Sequence, residues 1–219
     1  MIRSAKLLTT AMLLSGLMSG PVFAQGNSSN YEVTIYNITK AQIFTPILAV
    51  THSADIALFE LGSPSSAELA TLAESGAIAP LRAVLDSATG LVAETNTNGG
   101  LLFPGHSVTI AISGEVKLDR LSFAGMLVPT NDAFVAINGL ELPKKDAVVY
   151  ALAYDAGSEA NDELCANIPG PYCGDMDDSG DTGEGYVYVG NGVRGAGDLD
   201  SAEFDWNNPV ARVEIRRVN

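Results

Sequence analysis

Apolar and polar residues alternate along Tyr31-Glu32-Val33-Thr34-Ile35-Tyr36-Asn37-Ile38, the period-two pattern of a strand with one buried face. A second β-rich run spans Ile43 to Val50, where Pro46 marks an edge or a bulge. Residues 63–88 change period: Ser65 or Ser66 can cap a helix with Leu69, Leu72 and Ala73 on one face, and Gly76 ends it. A second short helix starts near Pro80, using Leu81, Val84 and Leu85. Strand patterns return with Val108–Ile112, Leu121–Val128, Ala133–Ile137 and Ala147–Tyr154, punctuated by Asn138-Gly139 and Pro143-Lys144-Lys145-Asp146. Gly185–Val189 and the alternating Val210–Ile215 close the series. Seven or eight short strands with one helical insertion predict an all-β fold, an antiparallel β-sandwich. The exception to this economy is Asn161–Gly185, a long, acidic, glycine-rich loop of the kind that is usually functional or disordered.

The first residues follow a different logic. Arg3 and Lys6 precede an uncharged apolar run from Leu7 to Leu17, and Val22-Phe23-Ala24 places small residues where a signal peptidase reads. The pattern predicts a signal peptide over 1–24, a polar leader over 25–30 and one domain over 31–219, exported to the periplasm or the medium. The apolar run is too short and too interrupted for a transmembrane segment, and no later segment reads as one. Loss of Arg3 and Lys6 would take the net charge from −14 to −16. Such acidity argues against nucleic acid and against anionic membrane surfaces. It favours solubility and, where carboxylates cluster, divalent cations. After export, Cys165 and Cys173 are placed for a small local disulfide.

Catalytic signatures are missing: there is no Gly-x-Ser-x-Gly, no His-Glu-x-x-His and no phosphate-binding glycine loop. The two histidines, His52 and His106, cannot alone fill a zinc site. Paired carboxylates for glycoside hydrolysis stay open, with nothing to single out a pair. Calcium fits better, because it takes six to eight oxygens from carboxylates, carbonyls and water. Three acidic turns offer them: Pro129–Asp132, Tyr154–Glu159 and Gly174–Asp181. The third matches an EF-hand loop at Asp175, Asp177, Ser179 and Gly180, but Tyr186 stands where the bidentate glutamate belongs. A solvated acidic loop is the plainer reading there.

Leu127-Val128-Pro129-Thr130-Asn131-Asp132-Ala133-Phe134, followed by Tyr154-Asp155-Ala156-Gly157-Ser158, resembles the spondin N-terminal domain. Ile168-Pro169-Gly170-Pro171 and Asp205-Trp206-Asn207-Asn208-Pro209 resemble its bacterial members, so the likeness runs from about Tyr31 to the C-terminus. The resemblance implies a C2-like sandwich with a calcium ion held by end loops, through residues matching Asp132 and Asp155; Glu159 is a third candidate. The chain lacks the thrombospondin repeats and most of the cysteines of animal members, and it inserts residues 63–88 and 174–185. The resulting expectation is a calcium-binding, non-catalytic adhesion or binding protein whose partner is an extracellular or envelope ligand, protein or glycan. A secreted carboxylate-dependent hydrolase is the rival, and a purely structural envelope protein a third reading.

Overall fold

The computed structural model describes residues 28–116, 119–173 and 182–218. The predicted signal peptide and the acidic run Asp175–Asp181 lie outside the described residues. Ten strands form one sheet in which every strand pair is antiparallel: β1 (Ser28–Asn37), β2 (Ile43–Phe44), β3 (Leu48–Ser53), β4 (Val92–Thr97), β5 (Ser107–Glu115), β6 (Asp119–Val128), β7 (Ala133–Glu141), β8 (Ala147–Asp155), β9 (Tyr188–Val189) and β10 (Ala211–Val218). The order is β4-β3-β6-β7-β8-β10-β1-β5, with β2 on β6 and β9 on β8. The first strand begins at Ser28, inside the predicted leader, and Pro46 divides the second predicted strand into β2 and β3.

The sheet curls into a sandwich that is nearly closed. Its end strands, β4 and β5, are joined by side chains in place of a backbone ladder. Glu94 Oε2 accepts Ser113 N–H at 2.6 Å and Ser113 Oγ–H at 2.5 Å. Asn96 Nδ2 donates to Ala111 O at 2.7 Å. Both edges therefore carry partners, which blunts the pairing hazard of an open edge.

Burial explains the two kinds of strand pattern. In β1, Tyr31, Val33 and Ile35 point inward while Glu32, Thr34 and Tyr36 point out. β6 and β7 are covered on both faces, hence their unbroken apolar runs. One face meets the main core around Phe123, Val135 and Ile137. The other meets α1 (Ala67–Ser75) and α2 (Ala79–Ser87), whose Leu69, Leu72, Leu81 and Leu85 pack with Val50, Ala124, Phe134 and Ala136. Ser66 caps α1 by accepting the Leu69 N–H, and Gly76 ends it in the left-handed conformation at φ 71°. A four-residue α3 (Ser201–Phe204) and a short 3-10 turn at Cys165–Asn167 complete the regular structure of the described residues.

Two arrangements set up the site. β7 and β8 pair with Ala133 opposite Asp155, so the turn before β7 and the loop after β8 meet at one end of the sandwich. β10 lies between β8 and β1, so the last described strand is central to the sheet.

Candidate metal centre

The turn after β6 is built by Thr130, which donates to Leu127 O at 2.6 Å and accepts the Ala133 N–H at 3.2 Å. This turn delivers Asp132 with no exposed surface. One of its oxygens, Oδ2, accepts the backbone N–H groups of Ser158 (2.8 Å) and Glu159 (3.1 Å) and the Ser158 hydroxyl (3.3 Å). Its other oxygen, Oδ1, is buried with no hydrogen-bond partner. Asp155, also buried, accepts the Gly157 N–H at 2.9 Å through Oδ1 and the Asn161 side-chain amide at 2.8 Å through Oδ2.

The loop after β8 is clamped from its far side. Gly157 sits at φ 64°, and a Cβ there would lie 2.2 Å from Tyr186 O, so only glycine fits. Gly183 donates to Ser158 O and Gly185 to Gly157 O. Asn161 reaches from Asp155 to the Tyr188 hydroxyl, at 2.9 Å from the latter. Glu163, buried at φ 57°, accepts the N–H groups of Arg194 (2.6 Å) and Ala196 (2.5 Å), which pins the 190s loop to the same end. Glu159 is buried beside Asp132, its backbone N–H on the Asp132 carboxylate.

Electrostatics mark the pair as strained. Burial first, and then the charge of Asp155, pushes the Asp132 carboxyl up to about 7. Burial also raises Asp155, against the lowering effect of its hydrogen bonds from Asn161, Gly157 and Tyr188. Tyr188 is raised in turn, by burial and then by the Asp155 charge. Two carboxylates this close oppose joint ionisation unless a cation lies between them.

The unpartnered Asp132 Oδ1 is a buried acceptor with a lone pair to give, and a carboxylate oxygen suits a hard cation. Among the described residues no set of three or more His, Cys, Asp or Glu is gathered to hold a metal. A cation here would therefore lean on the carboxylate pair and on backbone carbonyls. A small, partly open cavity of about 20 Å³ lies beside Asp155, lined also by Thr130, Asn131, Asn161, Glu163 and Trp206 among others. That volume suits a water or an ion.

The remaining candidates fall elsewhere. His52 is fully buried at the far end of β3, with Nδ1 against Ser53 O at 2.8 Å and Nε2 against Ser122 Oγ at 2.7 Å; burial lowers its pKa. Ser122 Oγ also accepts the Gly139 N–H, so this Ser–His contact is a satisfied core pair. His106 is exposed in its turn. Cys165 and Cys173 are joined as a disulfide. Trp206 is buried, so it offers no contact surface, and its Nε1 has no partner. Asn161, Glu163 and Tyr188 were not legible as site residues. Asn161 and Glu163 stand in a stretch that reads as loop and Tyr188 in a predicted strand, and only the fold brings them to the Asp155 end.

The family described as Spondin_N matches residues 28–161, more than half of the chain. No curated protein matches it. The matched span includes Asp132, Asp155 and Glu159 and stops before Glu163, the disulfide and β10.

Proposed function

Because the chain belongs to the spondin N-terminal domain family, we propose that it is a non-catalytic, exported binding or adhesion module whose Asp132 and Asp155 loops hold a calcium ion. The observation that carries this reading is the buried, unpartnered Oδ1 of Asp132 beside the buried Asp155 carboxylate. Glu159 is the nearest further acidic residue on the same loop. Calcium would supply charge neutralisation and a crosslink between the β6–β7 turn and the loop after β8; it takes no part in bond chemistry in this reading. Export fits the same picture, because weak calcium sites of extracellular modules suit millimolar surroundings.

The hydrolase alternative draws support from a raised carboxyl next to a second one, the pattern of a general acid and its partner. The space argues the other way. Asp132 has no exposed surface and does not line the cavity beside Asp155, whose volume of about 20 Å³ has no room for a sugar ring or a peptide.

Trp206, the chain's single tryptophan, lines the same cavity as Asp155 and so reports on the site. Calcium titrated into metal-free protein should change its fluorescence saturably, and Asp132→Asn should remove that change. A flat titration of the wild-type protein, with calorimetry equally silent, would sink the calcium claim.

A further inference from the structure

The charge at the opposite end of the sandwich runs against the composition of the chain. β8 and β10 pair with Ile215 opposite Ala147, so the Pro143–Asp146 turn and Arg216–Arg217 meet at the end of β8 remote from Asp155. Lys144, Lys145, Asp146 and Arg217 line an open pocket of about 550 Å³. Asp146, Val148, Glu214 and Arg216 line an adjoining one of about 310 Å³. Arg216 is paired with Glu32, and Arg120 nearby with Glu141. Among the described residues, the side chains of Lys144, Lys145 and Arg217 make no ion pair. The carboxylate lining their pocket, Asp146, accepts the Arg217 backbone N–H at 3.3 Å.

A chain with 26 acidic and 12 basic side chains offers cations many partners. Three that converge on one concavity without a partner repel one another, and an anion entering it relieves that repulsion. The sheet surface beside the pocket adds a second kind of contact. Val148 and Tyr150 point outward from β8, at 52% and 57% exposure. Tyr150 stands opposite Arg212, whose guanidinium lies 5.1 Å over the Tyr36 ring. From Ala147, next to the turn, to Tyr150 the strand covers roughly 10 Å, room for about two sugar rings.

We propose that this end of the sandwich binds an acidic polysaccharide, its anionic groups held by Lys144, Lys145 and Arg217 and its sugar faces resting on Tyr150. A flat anionic bilayer would also face Glu32 and Glu141 across the whole end, whereas a polymer strand needs only the pocket. The inference rests on the binding role proposed above and supplies its partner, but it uses no residue of the calcium site.

The test is retention of the full chain on immobilised heparin, an acidic polysaccharide probe, at low ionic strength. With a sequence pI near 4.3, the protein should pass through unless a local site holds it. Retention that salt reverses and neutral dextran does not compete is the expected result. Lys144→Glu with Lys145→Glu should weaken it about tenfold or more, and Tyr150→Ala should weaken it several-fold, both with unchanged melting temperature. Flow-through of the wild-type protein overturns the proposal, as does binding to phosphatidylglycerol vesicles without binding to heparin. Asp132→Asn separates the two readings: heparin retention in a variant that has lost its calcium response supports this one independently. A wild-type protein that responds to calcium but ignores heparin defeats this inference alone.

Discussion

At the scale of single residues, Asp132 holds two opposed demands. Oδ2 is fixed by three donors from Ser158 and Glu159, while Oδ1 is buried without one, close to a second carboxylate. Asp132→Asn keeps an acceptor for those donors and removes the repulsion. It should therefore raise the melting temperature of the metal-free protein at pH 7.5 while abolishing the response to calcium; opposite signs from one substitution are read in one pair of melts. The pH dependence follows from the same raised carboxyl. Its folded value, about 7, lies above the ordinary carboxylate value near 3.8. Between those limits the metal-free native state binds a proton that the unfolded chain has released, so its stability falls as pH rises from about 4 to 7. Calcium needs the ionised form, so the stabilisation it adds should be small near pH 5 and full above pH 7. Subtracting melts in chelator from melts in calcium cancels His52, which lies at the far end of β3 and titrates in either condition. Asp132 and Asp155 were singled out by the spondin resemblance, and their place in turns flanked by strong strand patterns supported the choice. Glu163 was not: it falls in the long acidic loop from Asn161 to Gly185, where nothing in the sequence singles it out, yet its carboxylate is buried on two backbone N–H groups.

At the scale of elements, local signals decided what could be seen. The α1 helix was visible from its Ser66 cap, its apolar spacing and the Gly76 stop, all of which the structure uses. The alternating β1 and β10 were visible for the same reason, each having one wet face. β4 was not, because Val92-Ala93-Glu94-Thr95-Asn96-Thr97 is nearly all half-exposed and has neither alternation nor an apolar run. What makes it a strand is non-local: pairing with β3 and the Glu94 and Asn96 side chains that close the sandwich onto β5. Glu94→Ala should therefore loosen the β4–β5 seam, seen as faster amide exchange at Ser113 and a loss of about 1–2 kcal/mol for a charged acceptor. The loop after β8 has its own marker. Gly157→Ala would drive a Cβ into Tyr186 O, so it should lower both stability and calcium affinity, whereas Gly139→Ala, in open space at φ 76°, should cost stability only.

At the scale of the molecule, the sandwich is polar along its long axis. The buried carboxylates stand at one end of β8, and the unpaired lysines at the other. The family match ends at residue 161, yet β10 is inserted between β8 and β1, so the sheet is complete only with the last described strand. Truncation at residue 161 should accordingly yield an unfolded chain in circular dichroism, despite retaining both candidate calcium ligands. Calcium held through Asp132 and Asp155, as proposed, would bind the native state alone. Thermal unfolding of metal-free protein at pH 7.5, in 10 mM calcium against chelator, tests it most directly. Calcium should add about 2 kcal/mol of stability, a rise of roughly 4–8 °C, lost in Asp132→Asn. Coincident melting curves for the wild-type protein in calcium and in chelator would contradict it.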